Sequence, residues 1–233
     1  MVPFDRASKI DRYGAVALGL LVVLCAFLLG WVVGVGTDDP NDASSGPPAA
    51  QSPTPFPSSG ATVAGPTEDL LVRCQQVYTA QDEPLRAARA AIAQWVVHID
   101  AMNKLVAGEI TLAQATKFWD ETRVGAHARL DAFATAAGRY DKRTGRCPRE
   151  ASRQVHGAVR TCMAAVSARN RQLSRAGRTL ATWRMHVEHM EMLRRGEMSA
   201  SQATALWLQS WHDGQTEMTD YRAAARAARG PHC

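Results

Sequence analysis

Apolar residues follow two different patterns along this chain. Gly14 to Gly36 form one uncharged run, GAVALGLLVVLCAFLLGWVVGVG, which at about 1.5 Å per residue is long enough to cross a hydrocarbon core of about 30 Å. Beyond residue 67 the apolar positions become periodic. Leu85, Ala88, Ile92, Trp95, Ile99, Met102 and Val106 alternate steps of three and four, and Leu173, Ala176, Leu180, Trp183, Val187 and Met190 repeat them. Such stripes predict helices that each hide one face, and no alternating strand pattern interrupts them.

The second set of stripes copies the first at an offset of 88 residues. Cys74, Leu85, Trp95, His98, Met102, Leu105, Gly108, Glu109, Gln114, Ala115, Thr116 and Trp119 recur as Cys162, Leu173, Trp183, His186, Met190, Leu193, Gly196, Glu197, Gln202, Ala203, Thr204 and Trp207. Identities in such number and register identify one unit used twice. Each stripe ends at Gly108 or Gly196, followed by Thr111-x-x-Gln114 or Ser199-x-x-Gln202. Glycine suits the left-handed residue after a helix, and a hydroxyl three residues before a glutamine caps the next one. Each unit therefore reads as a helical hairpin. The second helix of each is expected to run unbroken, through Trp119, Ala126, Leu130, Phe133 and Ala137, and through Trp207, Trp211, Met218, Tyr221 and Ala225. Pro84, matched by Gln172, is expected to kink or restart the first helix in one copy only.

The fold expected is all-α: an N-terminal transmembrane helix, a disordered linker, and an extracytoplasmic four-helix bundle of two tandemly duplicated, disulfide-clamped hairpins. The divisions are a cytoplasmic tail (1–13), the span (14–36), the linker (37–66), the first repeat (67–148) and the second (149–233). Arg6, Lys9 and Arg12 precede the span and Asp38 and Asp39 follow it, which places the N-terminus in the cytoplasm and the rest outside. The short tail argues against a receptor acting alone. The linker holds seven of the eleven prolines and too little apolar surface to offset its ordering entropy. Gly30 and Gly34 form a G-x-x-x-G pair of the kind that joins spans into a homodimer.

Outside the span lie Cys74, Cys147, Cys162 and Cys233, near the open ends of the two hairpins. Helices of matched rise bring Cys74 to Cys147 and Cys162 to Cys233, the preferred pairing, while Cys147 with Cys162 stays open. Disulfides fit an oxidising compartment beyond the membrane.

Candidate chemistry is sparse. His98 and Met102 share a helix face, as do His186 and Met190; a twofold bundle facing these pairs would offer a borderline-to-soft set suited to Cu(I), and an N- or S-ligated haem is the companion reading. The stronger reading of the same residues is core or seam filling. The chain has no metalloprotease, di-iron, covalent-haem, nucleophile-elbow or phosphate-loop signature, so no catalytic residue is assigned and an enzyme is not expected. From Arg139 to Arg178 eleven Lys or Arg face only Asp141 and Glu150. Arg143, Arg146, Arg149 and Arg153 are the candidate contact surface, for anionic envelope polymers, lipid headgroups or an envelope protein. Placement outside the cell excludes nucleic acid. The function expected is non-enzymatic binding or scaffolding at the outer face of a bacterial envelope, with copper or haem handling as the alternative.

Overall fold

The computed structural model describes residues 66–142, 146–148 and 157–233. The tail, the expected span and the linker up to residue 65 lie outside these, as do Arg143, Arg149 and Arg153. The described residues form helices α1 (Pro66–Ala80), α2 (Asp82–Val106), α3 (Leu112–Arg123), α4 (Ala126–Asp141), α5 (Gly157–Arg194) and α6 (Ala200–Ala227), without a strand among them. None of these helices is long and apolar enough to cross a membrane.

Local sequence explains most boundaries. Pro66 opens α1, with Glu68 and Asp69 in its first turn, where the missing N–H is harmless and negative charge meets the helix dipole. α1 and α2 part at Gln81, because Pro84 cannot donate to the carbonyl four residues before it. Gln172 at the equivalent place keeps its N–H, and α5 runs its 38 residues unbroken. Gln81 is fully buried at the break. Its Nε2 lies 2.8 Å from Asn170 Oδ1 and 3.1 Å from the Val166 carbonyl, tying the break to α5.

The two hairpin turns are built alike. Gly108 and Gly196 have φ of 74° and 72°. The Glu109 N–H donates to the Lys104 carbonyl at 2.8 Å and that of Glu197 to Met192 at 2.9 Å, while both glycine N–H groups donate to the carbonyls three residues back. This is the glycine-terminated closure that satisfies the last carbonyls of a helix. Thr111 with Gln114, and Ser199 with Gln202, form complete capping boxes on α3 and α6.

The copies diverge where the first returns from its turn. The expected continuous helix is broken at Val124 and Gly125, the latter with φ of 70°, so α3 and α4 together match the single helix α6. Gln94 of α2 donates to the Val124 carbonyl freed by the break, at 2.8 Å.

The helices pack as a bundle. α2 lies against α3, α4 and α5; α5 lies against α6 and α1. The main core gathers Ile92, Trp95 and Ile99 of α2, Leu130 of α4, Leu180, Trp183 and Val187 of α5, and Met218 and Tyr221 of α6. At Gly214 of α6 the backbone comes close to it, since a Cβ there would stand 2.7 Å from Trp95 Cζ2. A smaller core at the other end holds Cys74, Val159, Cys162 and Met163, with Leu70, Leu71 and Cys147 beside them. Disulfides join Cys74 to Cys147 and Cys162 to Cys233, in the preferred pairing.

Candidate functional site

At the centre of the bundle, residues at equal positions of the two copies meet each other. Trp95 and Trp183 stack with ring centroids 4.7 Å apart and planes 19° from parallel. One turn on, His98 Nε2 lies 3.0 Å from His186 Nε2. Like meeting like is what an approximate twofold axis between α2 and α5 requires. Periodicity predicts a tryptophan in each stripe, and a histidine at its edge. The structure buries both histidines, at 6 % and 5 % exposure. Trp119 and Trp207, returning from the turns, flank them with centroids 5.9 Å from His98 and His186 respectively.

The hydrogen-bond partners assign the tautomers. Thr122 Oγ1 lies 2.8 Å from the Phe118 carbonyl and 2.8 Å from His98 Nδ1. Its single proton serves the carbonyl, so it accepts from His98 Nδ1–H. His98 Nε2 is then a lone pair, and His186 Nε2–H donates to it. The chain runs from His186 through His98 and Thr122 to the α3 backbone. His98 is also held by Trp119, whose indole N–H donates to the His98 carbonyl at 3.2 Å.

Four polar atoms of this centre are unanswered. His186 Nδ1 is buried without a hydrogen-bond partner, as are the indole N–H groups of Trp95, Trp183 and Trp207. Ser210, the repeat counterpart of Thr122, likewise donates to the carbonyl four residues back, that of Leu206, at 2.9 Å, but does not bond His186 Nδ1. Burial keeps both imidazoles neutral. Desolvation, reinforced by His186, lowers the His98 pKa well below its usual value; desolvation, reinforced by His189, brings that of His186 to about 3.

Of the expected ligand set, the two histidines come together. Met102 and Met190 stand one turn further toward the loops and are half-buried, with Met190 packed on the main core. A haem plane cannot pass between nitrogens 3.0 Å apart without parting α2 from α5. Thr122 and Ser210 escape a search for identities, because the copies keep a hydroxyl there and not a residue. That shared hydroxyl, in step with the histidines, is the signal that finds them.

A second feature lies at the disulfide end, a groove of about 1560 Å³ between α1, the end of α4, Arg146–Pro148 and α5. Arg73, Lys142, Arg146 and Arg171 line it against Asp141 alone among its acidic residues. Arg146 is thus the one described member of the expected arginine surface, and it is exposed. Much of the remaining basic run is neutralised within the fold. Arg139 pairs with Glu83, Arg169 with Asp82 at 2.6 Å, and Arg175 with Asp220 at 2.6 Å. Arg169 also lies over the Tyr78 ring, 3.5 Å from its centroid. Sequence alone cannot separate these arginines from those of the groove, because their partners come from other helices. No family model matches the chain, and no curated protein or solved structure matches it.

Proposed function

We propose that this protein is a non-enzymatic binding module of two helical hairpins. Residues 14–36 hold it at the membrane, residues 37–66 carry it outward, and its groove receives phosphate-bearing anions of the envelope. The observation that carries this reading is the convergence of Arg73, Lys142, Arg146 and Arg171 on one opening. Cations from separate elements facing one concavity focus potential there, as a solvated charge run does not. Phosphate is the anion that arginine forks fit best. The groove also lies at the end of the bundle where the chain enters from the linker, since α1 forms one of its walls. The disulfides fit an oxidising compartment outside the cell. Against catalysis stands the placement of His98 and His186, which are buried among tryptophans and do not line the groove.

The test uses the full chain in phosphatidylcholine nanodiscs, mixed with vesicles of phosphatidylglycerol or phosphatidylcholine at low and high salt. Phosphatidylglycerol binding that weakens with salt, and that falls about tenfold or more when Arg73, Arg146 and Arg171 are changed together to Gln, supports the reading. Competition by soluble poly(glycerol phosphate) assigns the ligand to an envelope polymer; its failure leaves the lipid headgroup. Equal binding to both vesicles, or none, refutes it.

A further inference from the structure

We propose that His98 and His186 form a two-nitrogen site for Cu(I) at the twofold centre of the bundle, opened by a small parting of the two rings. This does not depend on the anion groove. It rests on three observations that meet at one place.

The first is convergence. Two imidazole nitrogens from equivalent positions point at each other, 3.0 Å apart. Linear coordination, with metal–nitrogen bonds of about 2 Å, needs nitrogens about 4 Å apart, so the rings have to part by about 1 Å. A soft, closed-shell monovalent cation accepts two imidazoles. Zinc wants four ligands, and among the described residues no group of three or more His, Cys, Asp and Glu is placed to hold a metal.

The second is the unanswered Nδ1 of His186. In the resting chain one Nε2 is a donor, which blocks the space between the rings. Moving that proton to Nδ1 of the same ring frees the lone pair without releasing a proton. It also turns the idle acceptor into a donor on the side where the repeat places Ser210. His98 already makes the equivalent bond to Thr122. Loaded with the cation, both copies would then be alike: each Nε2 bound to metal, each Nδ1–H held by a helix hydroxyl. An outer-shell bond of this sort fixes the ring and raises its basicity.

The third is the lining. A single positive charge buried between neutral imidazoles needs compensation, and among the described residues no carboxylate is hydrogen-bonded to either ring. The aromatic side chains around the pair are the source we assign to it: the Trp95 and Trp183 ring centroids lie 5.3 and 5.8 Å from that of His186, and 5.6 and 5.0 Å from that of His98, and an indole face attracts a cation that stands over it. Trp119 and Trp207 complete the enclosure. Both are partly exposed and so mark the way in.

The test uses the full chain in detergent with Cys25→Ser, so that the thiol outside the disulfides does not compete. Cu(I) is added without oxygen as its acetonitrile complex, against bicinchoninate. The result expected is one Cu(I) per chain, quenching of tryptophan fluorescence, and an X-ray absorption spectrum with two nitrogen neighbours. His98→Gln or His186→Gln is expected to weaken binding by more than about 100-fold, and Ser210→Ala, which removes the hydroxyl proposed to hold His186 Nδ1–H, by about tenfold. Met102→Leu with Met190→Leu is expected to leave affinity unchanged. Failure of the chain with both histidines to compete for Cu(I) overturns the proposal, whatever the variants do. So does binding that survives in the His98→Gln, His186→Gln double variant, or sulfur in the absorption spectrum.

Discussion

Whether His98 and His186 hold the two halves of the bundle together or push them apart depends on one added proton. Neutral, they share a hydrogen bond; with a proton on either, a charge sits in a site that has no carboxylate partner among the described residues, and desolvation is the first cause lowering both pKa values. In the unfolded chain each histidine returns to its usual value of 6.5. Between that pH and about 3 the unfolded state therefore binds a proton that folded His186 refuses. Stability is complete above pH 6.5 and falls as acid is added, by up to about 1.4 kcal/mol per pH unit for this residue, with the same sign for His98. In metal-free protein, urea unfolding from pH 7 to pH 4 should fall more steeply for the native chain than for His186→Gln. Parallel curves would show that the buried pair does not titrate this way. Sequence places these histidines at the edge of the stripes, since a polar residue gives no sign of burial until its partner is known. Thr122 and the opposite histidine make burial tolerable, and both come from other helices.

At the scale of elements, sequence is readable where chemistry is local. The glycine closure and the capping box at each hairpin turn join residues three to five apart, so their partners stand side by side in the chain. The restart of the first helix near Pro84 is local in the same sense. The break at Gly125 is not. A glycine inside a helical pattern often passes without interruption, and α6 does contain Gly214. What permits the break is Gln94 of α2, which takes up the Val124 carbonyl. Its counterpart is Thr182, and the second copy stays continuous across the equivalent positions, His212 and Asp213. Gly125→Ala should therefore cost about 1–2 kcal/mol, because an L side chain is strained at φ of 70°. Crowding adds little, since the nearest atom to a new Cβ is the mobile Arg129 guanidinium at 3.2 Å. A lowered thermal midpoint with unchanged helical circular dichroism is the outcome expected. A rise in midpoint would mean that α3 and α4 merge into one helix and that the break is not held by its surroundings.

Across the whole molecule, duplication is visible in sequence, and so is the disulfide pairing, because equal distances from a turn bring chain ends together. The way the two hairpins face each other is not visible in this manner. Every stripe offers several apolar neighbours, and the stacking of Trp95 on Trp183 is settled only when α2 and α5 cross. The disulfides then act on a structure whose main core lies elsewhere. Cys74–Cys147 and Cys162–Cys233 span 73 and 71 residues, so each removes unfolded-state entropy worth about 4 kcal/mol if the native bond is unstrained. Together this rivals the whole stability of an ordinary domain, about 5–15 kcal/mol. The two are unequal in what they hold. α1 meets the rest of the fold mainly through α5 and the small core around Cys74, whereas α6 lies along α5 and shares the main core. Changing Cys74 and Cys147 together to Ser should loosen α1 first, giving proteolytic cleavage within 66–80 before cleavage in α5 or α6. Changing Cys162 and Cys233 together should lower the global unfolding free energy without that early cut. Limited proteolysis beside urea unfolding separates the two, and identical cleavage patterns would mean that the disulfides stabilise one indivisible unit.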